Sequence, residues 1–358
     1  MPALLRIAVI GPGKVAHLHA KAALQTPNTQ LVAVYGRTFH KADDFARQYG
    51  IKAYTDVREM VEREKVDLCL VCTTHPAHRD PTIAALEAGS HVLVEKPLAS
   101  TLADCDAMIE AAQRSNRYLG VISQRRFYAP SMRIREAIDA GKIGKPVLGT
   151  IQMLGWRDEE YYQSDAWRGT WADEGGGVLV NQSPHQLDLL CWYMGDIDEV
   201  YGVWSNLNHP YIEVDDTALA IVKFKNGGLG NIIVSNSQKP GIFGKVHVHG
   251  QNGASVGVQT DGGALFIAGR STITDPPVND LWTVPGEESS LAKFIEEDTA
   301  FFNTIDATVY YFGLQIAEFR DAIRQKRPPM VTGEDGRKVV ALFQAIYEST
   351  KTGLPVKL

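Results

Sequence analysis

The chain has 358 residues, 44% of them hydrophobic and 22% charged, with a net charge of −6. That is the balance of a globular protein large enough for two cores, and the acidic excess argues against nucleic acid or an anionic membrane as the main partner. No run approaches the ~18 uninterrupted apolar residues of a membrane helix, and "MPALLRIAVIG" enters a strand without a signal-peptide layout, so a cytoplasmic protein is expected.

The first 124 residues alternate strand and helix. "RIAVIG" reads as a strand, 14–25 as a helix, "QLVAVYG" as a strand and "HKADDFARQYG" as a helix closed by Gly50. "VREMVEREK" is helical, "VDLCLVCTT" a strand, and "HRDPTIAALEAG" a helix ending at Gly89. "HVLVEK", the helix "LADCDAMIEAAQRSN" and "YLGVISQ" complete the series. Near-continuous apolar strands alternating with helices predict a doubly wound α/β domain over 1–124.

A different pattern fills 125–358. A helix near 130–140 leads to the long strand "PVLGTIQMLGWRD", a Trp- and Gly-rich stretch at 156–177 and a helix from about 181 to 194. "ALAIVKFKNGGLGNIIVS" and "KVHVHGQNGASVGVQ" each place Asn-Gly between alternating segments, the signature of a hairpin. The stretch 270–290 reads as loop, and helices are expected at 309–325 and 334–351. These features predict an α+β domain on a mostly antiparallel open sheet, whose uncovered face, carrying Ile221 or Val222 according to register, would pair two copies into a homodimer or homotetramer.

Cys69 and Cys72 have the spacing of a redox or zinc pair, but residues three apart in a strand point to opposite faces. His247 and His249 share a strand face without an apparent third ligand, so no metal is expected.

"IAVIGPGKVA" sets Gly11, Gly13 and Ala16 at the turn from the first strand into a helix. Gly11 permits the turn, Gly13 lets the backbone approach a pyrophosphate, and the helix start at Lys14 and Val15 offers N–H groups to phosphate. An NAD-preferring site carries a carboxylate at the end of the second strand, where this chain has Gly36, then Arg37 and Thr38. Arg37 can pair with a 2′-phosphate or stack on adenine, which favours NADP over NAD.

In "HVLVEKP" a charged pair, Glu95 and Lys96, ends a buried strand where ligands of such sheets bind, and Pro97 restricts the backbone at once. A lysine there is placed to exchange a proton with substrate. In "GGGVLVNQSPHQLDLLCW", Asn181, His185 and Asp188 share one face if the helix runs through all three.

Taken in order, "GPGKVA", "TTHPAH", "EKPLA", "QRRF", "WRGTW" and the "GGGVLVNQSPHQLDLLCW" block resemble the Gfo/Idh/MocA family of glucose–fructose oxidoreductase and inositol dehydrogenase, over essentially the whole chain. "EYYQSDAWRGTW" with the glycine block is similar to the nucleotide-sugar 3-dehydrogenases of that family. The resemblance implies an NAD(P)-dependent dehydrogenase of a polyhydroxylated substrate. Lys96 and His185 would handle the hydroxyl proton, with Asp188 orienting His185. Thr73, Thr74, His75, His78, Glu95 and Gln124 would lie along the cofactor with Trp167 and Arg168, and Arg126, Arg157 and Asn181 would meet the substrate. Asn181 stands where inositol dehydrogenases have Asp, as in the sugar-nucleotide branch. Other readings are a dihydrodiol dehydrogenase acting on a cyclic diol, a non-catalytic dinucleotide sensor, and a glycosidase that uses NAD redox.

Overall fold

A computed structural model describes residues 4–260 and 275–358, with the backbone alone of Phe266–Ile267 and Arg270–Ser271. The chain divides into two compact units.

The first unit opens with β1 (Leu5–Ile10), α1 (Lys14–Gln25), β2 (Thr29–Tyr35), α2 (Phe39–Tyr49), β3 (Lys52–Tyr54) and α3 (Val57–Glu64). It continues through β4 (Leu68–Val71), α4 (Arg79–Glu87), β5 (His91–Val94), α5 (Leu102–Ser115) and β6 (Leu119–Val121). The six strands pair in parallel in the order β3-β2-β1-β4-β5-β6. That order reverses between β1 and β4, the switch point at which such sheets bind ligands. Helix ends follow local chemistry: Asp56 caps α3 by accepting from Glu59 N–H at 2.8 Å, Thr101 caps α5 at Asp104 N–H, and left-handed Gly50 stops α2.

The second unit starts with α6 (Ala129–Asp139), β7 (Pro146–Leu154), α7 (Glu159–Gln163) and α8 (Pro184–Met194). It goes on with β8 (Ile197–Ser205), β9 (Thr217–Phe224), β10 (Leu229–Ser235), β11 (Phe243–Gly250) and β12 (Ser255–Thr260). Along the chain there follow β13 (Phe266–Ile267), β14 (Arg270–Ser271), β15 (Val278–Trp282), α9 (Ser290–Phe302), α10 (Tyr310–Gln325), α11 (Gly333–Thr352) and β16 (Val356–Lys357), of which β13, α10 and the start of α11 group with the first unit. The large sheet runs β15-β12-β11-β7-β10-β9-β8-β16. Its pairs are antiparallel except β10 with β7. One face packs on α8. On the other, Val203 pairs with Leu219, Tyr201 with Ile221 and Leu229 with Leu148, all exposed, and Ile221 is the outward residue while Val222 is buried.

Several expectations change. The second domain was expected over 125–358, and residues 308–340 group with the first compact unit. Phe312, Ile316 and Phe319 of α10 are buried in the core beneath β1 and α1, each worth ~1.5–3 kcal/mol on burial. Gly120 leaves room for the Phe319 ring, and a Cβ there would lie 2.7 Å from it. Gln315 receives Ser123 N–H at 3.0 Å and donates to Val121 carbonyl at 2.8 Å, closing the β6 edge as a neighbouring strand would. Within 270–290, expected as loop, Val278–Trp282 pairs with β12, while 272–274 lie outside the described residues. β3, β8 and α9 were not anticipated.

Candidate functional site

In the first unit the glycine turn follows β1. Gly11 has φ +94°, and a Cβ there would stand 2.8 Å from the Thr73 side chain, so only glycine fits. Gly13 differs: its Cβ would meet only the Cys72 carbonyl, at 3.8 Å. Internal packing therefore tolerates a side chain at 13, and a glycine leaves the exposed start of α1 open to a phosphate group. No side chain caps this helix start, where Lys14 is exposed and Val15 half-buried, while Ala16 is fully buried. The residues fit a dinucleotide. At the end of β2, a Cβ on Gly36 would press on Pro12 and Ala42 at 3.1–3.2 Å, which leaves little room for a carboxylate. Arg37 and Thr38 follow on the surface.

Beside this turn lie the ends of β4 and β5. Thr73 and Thr74 are half-buried, and Thr73 Oγ1 donates to the Ala77 carbonyl at 2.9 Å. His75 and His78 are buried. The His78 ring lies with Nε2 3.1 Å from the Thr73 carbonyl, and with Nδ1 3.0 Å from that of Pro97 and 3.2 Å from that of Leu98. The His78 ring thus ties the turn after β4 to the turn after β5. Glu95 is buried; one carboxylate oxygen accepts Lys96 N–H at 3.0 Å and the other lies 2.7 Å from His19 Nε2. Burial works against the charge, yet His19 and Lys96 hold Glu95 below the usual carboxylate range. Lys96 is half-buried and joined to Pro97 by a cis bond, and Gln124, also half-buried, begins the turn after β6.

In the second unit a glycine run delivers Asn181 and His185. Gly176 is in the left-handed region at φ +147°, where a Cβ would strike the Tyr347 hydroxyl. The fully buried Asp215 accepts from Gly177 N–H at 2.7 Å, Leu179 N–H at 2.9 Å and Tyr347 hydroxyl at 2.6 Å, clamping the turn. A single helix through 181–194 is not formed: residues 178–182 make a π-helical turn, and α8 starts at Pro184, whose missing N–H suits a first turn. His185 sits in that first turn, buried.

Asn181 donates to Glu174 and, at 3.2 Å, to Tyr161 hydroxyl. Tyr161 also receives Gln182 at 2.9 Å and Arg168, and its ring lies under the Arg168 and Arg157 guanidinium groups at 4.2 and 5.3 Å. Arg168 further covers Trp167, at 4.5 Å. Burial pushes Glu174 up to about 7, against the Gly169 N–H and Asn181 amide that favour its charged form. Behind Arg157, buried His209 spans from its carbonyl to Asp216, 2.7 Å on each side.

Arg126 and Asp188 meet each other. Both are buried, and the guanidinium grips the carboxylate at 2.6 and 2.8 Å, while it also lies 5.1 Å from the Trp192 ring centre. Asp188 thus braces Arg126 inside the unit. Sequence reasoning missed Tyr161, Glu174 and His19. Glu174 directly precedes the three glycines and Tyr161 lies in "EYYQSDAW", so proximity to quoted motifs was the only signal. His19 carried none. Cys69 and Cys72 are buried, with Cys69 pushed up to about 12 by burial, as structural thiols are.

Residues 5–123 match the family model described as "Oxidoreductase family, NAD-binding Rossmann fold", and 131–256 match "GFO/IDH/MocA C-terminal domain". A 1,5-anhydro-D-fructose reductase from Ensifer adhaerens is 28% identical, with 97% of each chain covered. A myo-inositol 2-dehydrogenase from Thermotoga maritima is 28% identical over 99% of this chain and 98% of its own. The WlbA dehydrogenase of Bordetella pertussis, solved with NADH and UDP-GlcNAcA, has a TM-score of 0.85 at 24% identity, covering 100% of this chain and 99% of its own.

Proposed function

The chain belongs to the GFO/IDH/MocA oxidoreductase family, and from that premise we propose how its residues divide the work of an NAD(P)-dependent dehydrogenase acting on a CH–OH group. The substrate class is a sugar, sugar derivative or cyclitol. When bound, the nicotinamide supplies the hydride acceptor. The turn at Gly11 and Gly13 takes the pyrophosphate, and Arg37 takes a 2′-phosphate, so NADP is preferred to NAD. The crowding of Gly36 by Pro12 and Ala42 supports that preference, since a ribose-binding carboxylate has little room there. In oxidation the hydroxyl proton is assigned to Lys96 and His185. Asn181 and Arg157 bind substrate oxygens.

The observation that carries this reading is the buried, charged Glu95 beside Lys96 at the end of β5, with β4 and then the glycine turn of β1 next to it. The test is a screen of NADP and NAD reduction across sugars, inositols, sugar acids and cyclic diols. NADP-dependent turnover of a polyol is expected; cofactor binding without turnover of any of them would favour a sensor.

The exposed apolar face of the large sheet is assigned to self-association in a cytoplasmic homo-oligomer. Ile221 is 63% exposed at its middle, in a stripe with Tyr201, Val203, Leu219 and Leu229. Among the described residues no helix is long and apolar enough to cross a membrane. Light scattering should give at least twice the 39.4 kDa chain mass, and a monomer would overturn the assignment.

A further inference from the structure

We propose that His19 is a positioning residue for Lys96, acting through the carboxylate of Glu95. The proposal rests on the reading of Lys96 as the group that exchanges the substrate proton.

His19 belongs to α1, the helix that starts at the glycine turn, and is fully buried. Its Nε2 lies 2.7 Å from Glu95 Oε1, while Nδ1 has no hydrogen-bond partner among the described residues. With Glu95 its one hydrogen-bond partner among the described residues, the ring is assigned the tautomer that carries the proton on Nε2 and donates it to Glu95. The ring centre is 4.6 Å from that of Phe312, which holds it in place from α10. Glu95 Oε2 in turn accepts the backbone N–H of Lys96 at 3.0 Å. One hydrogen-bonded chain thus runs from α1 to the peptide that carries the Lys96 side chain.

An apolar pair would fill the same space without the penalty of a buried charge. What the His19–Glu95 pair adds is a fixed negative charge one residue from the lysine, and a fixed Lys96 peptide. The titratable groups facing Glu95 are His19 from α1, Lys96 in its own turn, Cys72 at the end of β4 and His78 before α4. Cys72 is a thiol held protonated by burial, and burial lowers His78. His19 is thus the neighbour that donates to the Glu95 carboxylate from another element. Without it the buried carboxyl favours its neutral form, and Lys96 loses the adjacent charge that favours the ammonium.

The test compares His19→Leu, His19→Gln, Glu95→Gln and Lys96→Ala in the full-length protein. Competitive acetylation with acetic anhydride across a pH series, read by mass spectrometry of the peptide containing residue 96, gives the titration midpoint of Lys96 without substrate. His19→Leu should move that midpoint down by about one pH unit and lower kcat by about 10- to 100-fold on the best polyol of the screen. His19→Gln, which keeps an N–H donor, should stay within about threefold of wild type, and NADPH affinity should be retained throughout. If His19→Leu binds NADPH yet shows wild-type midpoint and kcat, the proposal is overturned. Should His19→Leu fail to fold, Glu95→Gln decides it by the same midpoint. Retained turnover in Lys96→Ala would instead remove the catalytic reading, while the acetylation shift would still report the His19–Glu95 coupling.

Discussion

Replacing one member of the Arg126–Asp188 pair should cost far more than replacing both. Their side chains are 3% and 5% exposed and meet through two bonds, at 2.6 and 2.8 Å. Hydrogen bonds to charged groups contribute ~1.5–3 kcal/mol each, and stripping one partner from a buried pair costs about 3–5 kcal/mol because the other charge stays behind. For a unit of this size ~1 kcal/mol moves Tm by roughly 2–4 °C. Arg126→Met and Asp188→Leu should therefore each lower the melting transition by roughly 6–20 °C. The double variant removes both charges and should recover most of that loss, to within about 2 kcal/mol of wild type. Thermal melts followed by tryptophan fluorescence, run on all four proteins, give the cycle. Single variants that melt within about 2 °C of wild type would refute the brace. A raised KM for Arg126→Met at unchanged stability would assign Arg126 to the substrate.

Lys96→Ala should reduce kcat by about 10²–10⁴-fold with NADPH affinity mostly kept, as expected for loss of a general acid–base group; near wild-type kcat would remove the assignment. Arg37→Ala should weaken NADP more than NAD in fluorescence titrations, because only NADP carries the 2′-phosphate, and equal losses would make Arg37 an adenine or structural contact. Glu174 sits at about 7 when folded against an ordinary 4.5. Between these values the folded state binds the extra proton, so its contribution is present at low pH and is lost as pH rises through about 7, on the order of 3 kcal/mol in all. Glu174→Gln should flatten the fall of Tm between pH 5 and 8 (about the range the shift spans), and an unchanged slope would show that Glu174 does not titrate there.

The part of this protein written locally in the chain was legible in it. Strand–helix alternation, the Gly11 and Gly13 turn after β1, the Asn-Gly hairpins of the large sheet and the charged pair closing β5 all depend on neighbours within a few residues. The family resemblance rested on those same short motifs in order. Tertiary structure decided the rest, because it turns on pairings between residues far apart. Val278–Trp282 became a strand only by meeting β12, and α10 joined the first unit through buried Phe312, Ile316, Phe319 and the Gln315 bridge to β6. The carboxylate that Arg126 meets in the interior, Asp188, lies sixty-two positions on. His19 gave no local sign of its role, since its partner Glu95 lies seventy-six residues away, across the sheet that folding has to build first.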